Sequence, residues 1–221
     1  YSIFIPGDKG VAYNIAYNGT PIYANGIYIA DSAKFGIKAL GINGEVSTTF
    51  YANYETFYDP LVYGQNWTIE MWILPKKNTF ANNGYTRFLW NNGYGTQNAA
   101  MWGTYNHYNN SEFGFLNTNP NRTDWAVKIL SPTNTVPLNT WTHVAECRYG
   151  DSVYCFVNGV LVGKVYTTVN FGSSSTYKLY FGGQGQLSPF TQNGFVGLIQ
   201  GIKFSKGVAR YISNFTPNKL Y

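Results

Sequence analysis

The chain has 221 residues, of which 19% are aromatic and only 11% are charged, and its formal net charge is +5. This length suits one large domain, and so many aromatic side chains argue against intrinsic disorder. The basic residues are scattered, with Lys76 and Lys77 as the one adjacent pair, and no apolar run reaches the roughly 18 residues of a membrane span. We therefore expect neither nucleic-acid binding nor membrane insertion.

Short β-branched and aromatic runs recur along the chain, separated by turns rich in Gly, Asn and Pro. Residues 1–30 are less regular, and we interpret them as edge strands or as a connector to an upstream region; residues 31–221 form the main domain. The predicted strands of that domain are Thr68–Leu74, Thr86–Trp90, Glu112–Asn117, Trp125–Leu130, Trp141–Arg148, Ser152–Val157, Val160–Tyr166, Lys178–Gly183 and Gly197–Ser205. Helix signals are almost absent. The pattern is typical of an all-β, antiparallel, two-sheet jelly-roll sandwich.

Two consecutive hairpins are predicted near the middle of the chain. The first turns at Gly150-Asp151, and the second at Asn158-Gly159, where a type I′ turn requires two positive φ angles. Cys147 and Cys155 flank the first turn. A loop centred on Asp151 places the two cysteines opposite each other, where a disulfide is conceivable; the alternative is two buried, reduced thiols that behave as small hydrophobes.

After the last strand the chain continues as an aromatic-rich tail. Gly207 permits a turn that other residues would strain, and Thr216 is biased towards an extended conformation because Pro217 follows it. We expect the tail to wrap over a sheet, held there by Tyr211 and Phe215. Arg210 is expected to fix the wrap by bonding to a carboxylate or to backbone carbonyls.

A stretch from Leu89 to Phe115 combines aromatic residues with many asparagines. Aromatic faces stack on the C–H patches of sugars, and amide side chains bond sugar hydroxyls, so this stretch predicts binding of a neutral glycan. The predicted ligand-binding residues are Trp90, Asn91, Asn92, Tyr94, Trp102, Tyr105, His107 and Tyr108. The alternative places Trp90 and Trp102 in the core. The loop Tyr105–Asn110 has the stronger claim, since a polar loop rarely exposes several aromatic residues without a partner.

Catalytic residues are not predicted. Glycoside hydrolysis needs two carboxyl groups held about 5–9.5 Å apart, and the ten acidic residues form no cluster in the sequence. Glu70 is alone in its strand, where we expect it to face solvent. His143 is expected to be a half-buried structural residue, and neither histidine suggests a Ser-His-Asp arrangement. We predict that the protein is not an enzyme.

Four stretches carry a family pattern in chain order. They are DSAKFGIKALGINGEVSTTF (31–50), NWTIEMWILP (66–75), LNTWTHVAECRYGDSVYCFVNGVLVG (138–163) and FVGLIQGIKFSKGVARYISNFTP (195–217). Together they resemble the laminin-G-like, concanavalin A-like lectin/glucanase jelly roll, in the form found in bacteriophage virion proteins. The resemblance covers about Asp31 to Pro217 and rests on the order of the four stretches.

The resemblance implies a fold and a viral setting, not an activity. Together with the aromatic, asparagine-rich stretch and the lack of a carboxylate pair, it predicts a non-enzymatic recognition module of a tail fibre or spike, located on the surface of the extracellular virion and binding a host-surface carbohydrate. The alternative is a structural or decoration domain that contacts other virion subunits and binds no sugar. The glucanases of this fold carry a Glu-x-Asp-x-(x)-Glu cluster on one strand, which is absent here.

The resemblance also bears on metal binding. Relatives with structural calcium carry acids where this chain has Asn43 and Gln200-Gly201, and calcium prefers several oxygen ligands with some carboxylate charge. We therefore expect no metal and no cofactor. A weaker calcium site built from backbone carbonyls is the alternative.

Overall fold

A computed structural model describes residues 2–5, 22–25, 27–36, 39–43, 49–52, 66–78, 87–91, 101–105, 110–118, 125–168, 179–182 and 194–218. Within these ranges the chain forms fifteen β-strands and no helix, and hence no helix long and apolar enough to cross a membrane. The strands are β1 (Ser2–Ile5), β2 (Ile22–Asn25), β3 (Ile27–Ala30), β4 (Ala39–Asn43), β5 (Thr49–Ala52), β6 (Trp67–Pro75), β7 (Arg87–Asn91), β8 (Met101–Tyr105), β9 (Phe113–Thr118), β10 (Trp125–Leu130), β11 (Thr142–Tyr149), β12 (Ser152–Val157), β13 (Val160–Tyr166), β14 (Leu179–Phe181) and β15 (Val196–Lys206). The all-β prediction is confirmed.

The strands form two antiparallel sheets. One has eight strands, in the order β13-β12-β11-β6-β15-β4-β3, with β1 pairing along the edge of β15 that also carries β4. The other has seven strands, in the order β10-β9-β8-β7-β14-β5-β2. The first described strand therefore lies beside the last, and strands from the start of the chain enter both sheets.

The two sheets share one hydrophobic core. Because successive side chains of a strand point to opposite faces, every second residue of β6 enters this core, and the facing strands contribute in the same way. Its buried members from β6, β7, β9 and β10 include Trp67, Ile69, Met71, Ile73, Leu89, Trp90, Phe113, Phe115, Val127 and Ile129. The "inner face" of each sheet is the face that carries these residues, and the "outer face" is the opposite one.

The hairpin between β12 and β13 confirms the predicted turn. Asn158 and Gly159 have φ angles of 48° and 78°, as a type I′ turn requires. Gly159 is also required for space, because a Cβ atom there would collide with the backbone carbonyl of Phe215. The turn therefore serves as a docking point for the tail.

The two cysteines do not face each other. The hairpin between β11 and β12 pairs Tyr149 with Ser152, so its turn consists of Gly150 and Asp151, and Cys147 pairs with Tyr154. Cys155 pairs with Glu146 and faces the core between the sheets, whereas Cys147 lies on the outer face. A turn centred half a residue earlier than expected thus excludes the cross-strand disulfide, and both thiols are free and buried. Burial raises the pKa of Cys147 to about 12.

The tail leaves β15 and crosses the outer face of the eight-stranded sheet. Gly207 has a φ of 72° and turns the chain. One side chain of β6 then fixes the next residues: the Thr68 hydroxyl donates to the Val208 carbonyl at 2.9 Å and accepts from the Arg210 amide at 2.9 Å. The start of the tail is therefore bonded to the middle of the sheet.

The far end of the tail is held by backbone and aromatic contacts. The Phe215 amide donates to the Gly159 carbonyl at 2.9 Å, and the Asn214 side chain accepts from the Leu161 amide at 2.8 Å. The rings of Tyr211 and Phe215 stack with their centroids 3.5 Å apart and cover an apolar cluster of the outer face. The predicted wrap, held by Tyr211 and Phe215, is confirmed.

Glu70 is the acidic centre beneath this tail, which corrects the expectation that it faces solvent. The Tyr211 hydroxyl donates to Glu70 Oε2 at 2.8 Å, and His143 Nε2 lies 3.3 Å from the same oxygen. Arg210 Nε donates to Ser205 Oγ at 2.8 Å and lies 3.7 Å from Glu70 Oε1. Burial and the neighbouring carboxylate raise the pKa of Tyr211, so its hydroxyl stays a donor. His143 is fully buried rather than half-buried, because Phe215 covers it.

The positions considered for calcium are far apart. Asn43 pairs with Val196, four residues from Gln200 along β15, a separation of about 13 Å at the usual rise of a strand. The Gln200 side chain is instead bonded to backbone groups: it accepts from the amides of Lys34 and Phe35 at 3.0 Å and donates to the Phe35 carbonyl at 2.6 Å. In the part of the chain that the structure describes, no group of three or more His, Cys, Asp or Glu residues is placed to hold a metal.

Candidate functional site

Three of the residues predicted to bind a glycan are buried. Trp90 is 1% exposed, and Asn91 and Tyr105 are fully buried. A β-bulge in β7 turns both Leu89 and Trp90 into the core, and Tyr105 lies on the inner face of β8, where its ring contacts the core residue Phe195. The interpretation of Trp90 as a core residue is therefore the right one, and the expectation that Tyr105 presents its ring at a loop is corrected.

The other predicted residues have different positions. Trp102 lies on β8 at an outer-face position, because its neighbour Gly103 faces the core. Asn92, Tyr94, His107 and Tyr108 lie outside the described residues, so their assignment stays a prediction. Of the predicted set, β7 and β8 bring Asn91 and Trp102 together as a register pair.

That pair belongs to a row that crosses the whole seven-stranded sheet. Each member is the register partner of the next, and partners in an antiparallel pair share a face. In sheet order from β2 to β10 the row is Tyr23, Tyr51, Tyr180, Asn91, Trp102, Leu116 and Lys128. Phe181 and Phe115, the neighbours of two members, belong to the core. The row therefore lies on the outer face of the sheet.

Three tyrosines occupy one end of this row. Tyr23, Tyr51 and Tyr180 stand at paired positions on β2, β5 and β14, and neighbouring strands are about 4.8 Å apart. In the middle of the row, Asn91 and Leu116 are fully buried and therefore not accessible to a ligand. At the opposite end of the row, Lys128 is exposed. We call Tyr23, Tyr51 and Tyr180 the tyrosine row.

On the inner side of the same sheet, a buried carboxyl group contacts β7. Glu146 of β11 is fully buried, and its Oε2 accepts a hydrogen bond from Trp90 Nε1 at 2.6 Å. Burial raises the pKa of Glu146 well above 4.5, although the hydrogen bond from Trp90 opposes that shift. The two sheets are thus joined by a hydrogen bond behind β7 and β8, in the middle of the row.

Glu70 and Glu146, the carboxyl groups of two neighbouring strands in the eight-stranded sheet, do not form a catalytic pair. Glu70 and Glu146 lie on neighbouring strands, but Glu70 pairs with Ala145 and Glu146 pairs with Ile69. Glu70 therefore points to the outer face beneath the tail, and Glu146 points into the core. Two carboxyl groups on opposite faces of a sheet cannot act on the same glycosidic bond, which requires them to flank it.

The tyrosine row was not found from the sequence. Its members are separated by 28 and 129 residues along the chain, at positions 23, 51 and 180. The weak signal available was a Tyr with small or apolar neighbours in each of three short runs, IYAN, TFYA and LYF. Only the pairing of β2 with β5 and of β5 with β14 brings the three together.

Comparison with known proteins gives a family and several structural relatives. The sequence model of a family described as the concanavalin A-like lectin/glucanases superfamily (Laminin_G_3) matches residues 48–209. A comparison with curated proteins finds no significant sequence match.

Among solved structures, domain 4 of an extracellular arabinanase from Geobacillus stearothermophilus, in complex with arabinotriose, is 17% identical with a TM-score of 0.68; the match covers 94% of this chain and 92% of that one. The binding domain of Paraclostridial mosquitocidal protein 1 is 16% identical with a TM-score of 0.67, over 93% of this chain and 48% of that one. The receptor-binding domain of botulinum neurotoxin D is 11% identical with a TM-score of 0.66, over 94% of this chain and 49% of that one. The chain spans about half the length of the two toxin domains. At these identities the likeness shows the fold alone.

Proposed function

The chain belongs to the concanavalin A-like lectin/glucanase superfamily, and from that premise we propose that it is a non-catalytic module that binds a neutral carbohydrate at the tyrosine row. The observation that carries the proposal is the register of the row, which brings Tyr23, Tyr51 and Tyr180 to one face at one end of a sheet. Trp102 continues the same face on β8. Tyrosine positions at the spacing of neighbouring strands suit the successive units of an oligosaccharide.

The chemistry of the chain supports a neutral ligand. Tyrosine combines an apolar ring with a hydroxyl group, so it can stack on a sugar ring and bond a sugar hydroxyl. Only 11% of the residues are charged, and no charged residue occurs among the tyrosines of the row. The structural relative from Geobacillus was solved with a neutral arabinose oligosaccharide, which makes such oligosaccharides the first ligands to test. The loop residues Asn92, Tyr94, His107 and Tyr108 remain proposed contacts.

Two observations support a non-catalytic role without a cofactor. Glu70 is bonded beneath the tail, and Glu146 is buried in the core on the opposite face of the same sheet. Gln200, at a position considered for calcium, is already bonded to the backbone of Lys34 and Phe35. We propose that binding needs neither calcium nor another cofactor.

A glycan array with the purified domain, with and without calcium, tests the proposal. We expect binding to one or more neutral oligosaccharides in both conditions. Tyr180→Ala should weaken that binding at least about tenfold, because a few aromatic residues usually dominate an interface, whereas Tyr180→Phe should keep most of it. Tyr166→Ala is the matched control, since Tyr166 is an exposed tyrosine of the other sheet. The proposal is wrong if the parent domain binds no neutral glycan, or if Tyr180→Ala and Tyr166→Ala have equal effects.

We also propose a biological setting: a surface appendage of a bacteriophage virion, where the module recognises a host carbohydrate. The support is the resemblance of the closing segment, including Gly-Val-Ala-Arg-Tyr from Gly207 to Tyr211, to phage domains. An antibody against the domain should label intact particles of the source virus and block their adsorption. Absence of the protein from purified particles would contradict this setting.

A second candidate role is a structural or decoration domain that contacts other virion subunits. The observation that favours it is a set of large apolar side chains exposed on and near the eight-stranded sheet and the tail: Tyr149, Val160, Leu161, Tyr166, Val208 and Ile212. Under this alternative, Tyr166→Ser combined with Val160→Ser should impair particle assembly while sugar binding is absent from the parent domain. Normal assembly of that double variant would exclude it.

A further inference from the structure

A hydrogen bond between the two sheets lies behind β7, the strand next to the tyrosine row. Glu146 of β11 accepts from the indole N–H of Trp90 at 2.6 Å, and both side chains are buried. Glu146 belongs to the eight-stranded sheet and Trp90 to the seven-stranded sheet, so the bond crosses the core. A buried hydrogen bond of this kind is directional, unlike the apolar contacts around it, and it fixes where the indole lies.

Trp90 in turn fixes the position of its neighbours. An added Cβ at Gly103 of β8 would collide with the indole nitrogen, so the ring lies directly against the inner face of β8. The ring also packs near Trp67 and Phe115, with centroid distances of 6.2 Å to each. Movement of Trp90 would therefore disturb β8 as well as β7.

The strand that carries Tyr180 depends on the same residue. β14 has only three residues, and it pairs with β7 at two positions, Tyr180 with Asn91 and Phe181 with Trp90. One further backbone bond, from the Gly182 amide to the Leu89 carbonyl at 2.8 Å, joins the two segments. On its other edge β14 pairs with β5 at three positions, so β7, which carries Trp90, is one of the two strands that set its place.

We propose that Glu146 is a positioning residue for carbohydrate binding: through Trp90 it fixes β7 at the point where β14 pairs, and so it helps to set the place of Tyr180 in the tyrosine row. This inference rests on the proposed function for the identity of the ligand, but its structural step does not. Glu146 touches no ligand and acts only through Trp90.

A positioning role accounts for the presence of a buried acid at position 146. Burying a polar group is unfavourable unless its hydrogen bonds are made, and Glu146 Oε1 has no hydrogen-bond partner among the residues that the structure describes. Replacing both members of such a buried pair by apolar groups of the same shape can be nearly neutral or stabilising. Burial keeps the carboxyl group neutral well above its usual pKa, and a neutral carboxyl group still accepts from the indole. Glu146 therefore contributes a hydrogen-bond acceptor that fixes the position of the Trp90 indole, and not a negative charge.

The test compares two substitutions of the same residue with a matched core control. Glu146→Gln keeps an oxygen that accepts from Trp90, whereas Glu146→Leu keeps the volume and removes the acceptor. Val144→Ala is the control, because Val144 is a buried residue of β11 that faces the same core. Two quantities are measured for the parent and for each variant. One is the affinity for a neutral oligosaccharide that the parent binds, and the other is the rate of amide hydrogen exchange in β7 and β14 without sugar.

We expect Glu146→Leu to weaken sugar binding about tenfold, a loss of about 1.4 kcal/mol, because Tyr180 is no longer held at its place in the tyrosine row. It should also speed amide exchange in β14 and β7. Glu146→Gln should restore both to parent values, and Val144→Ala should lower the melting temperature without changing affinity. Equal affinity and equal exchange in the Leu and Gln variants would overturn the role of Glu146 while leaving the proposed function intact. If the parent binds no sugar, the proposed function is wrong. If, in addition, β7 and β14 of Glu146→Leu exchange their amide hydrogens at the parent's rates, the structural role of Glu146 is wrong as well.

Discussion

Glu146 has different proton affinities in the folded and the unfolded chain. In the core the carboxyl group has lost its hydration and accepts a hydrogen bond from Trp90 Nε1. Burial therefore raises its pKa well above 4.5. As the pH rises past about 4.5, the unfolded chain releases this proton while the folded chain keeps it, so stability from this group is greatest in acid and is lost as the pH rises towards the folded pKa.

Glu146→Gln isolates that contribution. We expect the difference in unfolding free energy between the variant and the parent to shift in favour of the variant by about 1.4 kcal/mol for each pH unit above 4.5, until the folded pKa is reached. Urea unfolding of both proteins from pH 4 to pH 8 measures the difference. Other titrating groups cancel, because they are common to both proteins. Parallel stability curves over this range would contradict the assignment of a raised pKa.

For single residues, the sequence predicted which stretches are rich in aromatic side chains better than it predicted the face of the strand on which each residue lies. The stretch around Tyr105 was correctly seen as rich in aromatic residues, but the fact that Tyr105 faces the core follows from its position two residues after Gly103 in β8. Cys147 and Cys155 show the same limit. A shift of half a residue in the centre of the turn moves them to opposite faces, and sequence patterns do not fix a turn that closely.

The tail and β6 form one structural unit, although about 140 residues separate them. All nine residues of β6 are buried, because its inner face meets the other sheet and its outer face is covered by the tail and the segment around Phe35. Without the tail, Glu70, His143 and Cys147 would meet solvent. The tail thus acts as a cover for the middle of the eight-stranded sheet.

Phe215→Ala tests this cover. Phe215 stacks on Tyr211 and contacts Phe156 and His143, so its truncation should lower the unfolding free energy by about 2 kcal/mol, less than for a fully buried ring. Ile212→Ala is the control in the same tail, since Ile212 is 52% exposed and should cost no more than about 0.5 kcal/mol.

Chemical denaturation of the two variants measures the difference. Truncation of the chain from Gly207 onward should destabilise it further, because apolar surface worth about 25 cal/mol per Å² meets water. If all three proteins unfold at the parent's denaturant concentration, the tail is a loose segment.

At the element scale, strands with continuous β-branched and aromatic residues were predicted with their bounds. Trp125–Leu130, Ser152–Val157 and Val160–Tyr166 coincide with β10, β12 and β13. β8, Met101–Tyr105, was missed, since Gly103 interrupts the pattern and asparagines surround it. That glycine is required because Trp90 lies against it, a contact that only the folded chain reveals. The wrap of the tail was predicted, but Glu70 was not recognised as the carboxylate near Arg210.

The whole molecule is assembled from distant segments, and this decides what the sequence can predict. β1 pairs with β15, and the tyrosine row joins strands that begin at residues 22, 49 and 179. Periodicity and turn residues are local, so they predict an antiparallel sandwich. The order of strands in each sheet, and hence which tyrosines become neighbours, depends on long-range pairing. The fold class was therefore predictable, whereas the candidate binding face was not.

The charge distribution of the molecule leads to a prediction about salt. The fifteen Lys and Arg residues are scattered, and Lys128, at the far end of the cross-strand row, is separated from Tyr180 by four strand spacings, about 19 Å. A neutral sugar at the tyrosine row should therefore bind with an affinity that changes by less than about twofold between 0.1 and 1 M NaCl, a range in which the Debye length falls from about 10 to about 3 Å. Calorimetric titration of the parent and of Lys128→Gln checks this, and the two should agree at every salt concentration. A steep loss of affinity with salt that Lys128→Gln abolishes would show instead that the ligand is an acidic glycan bound at the opposite end of the row.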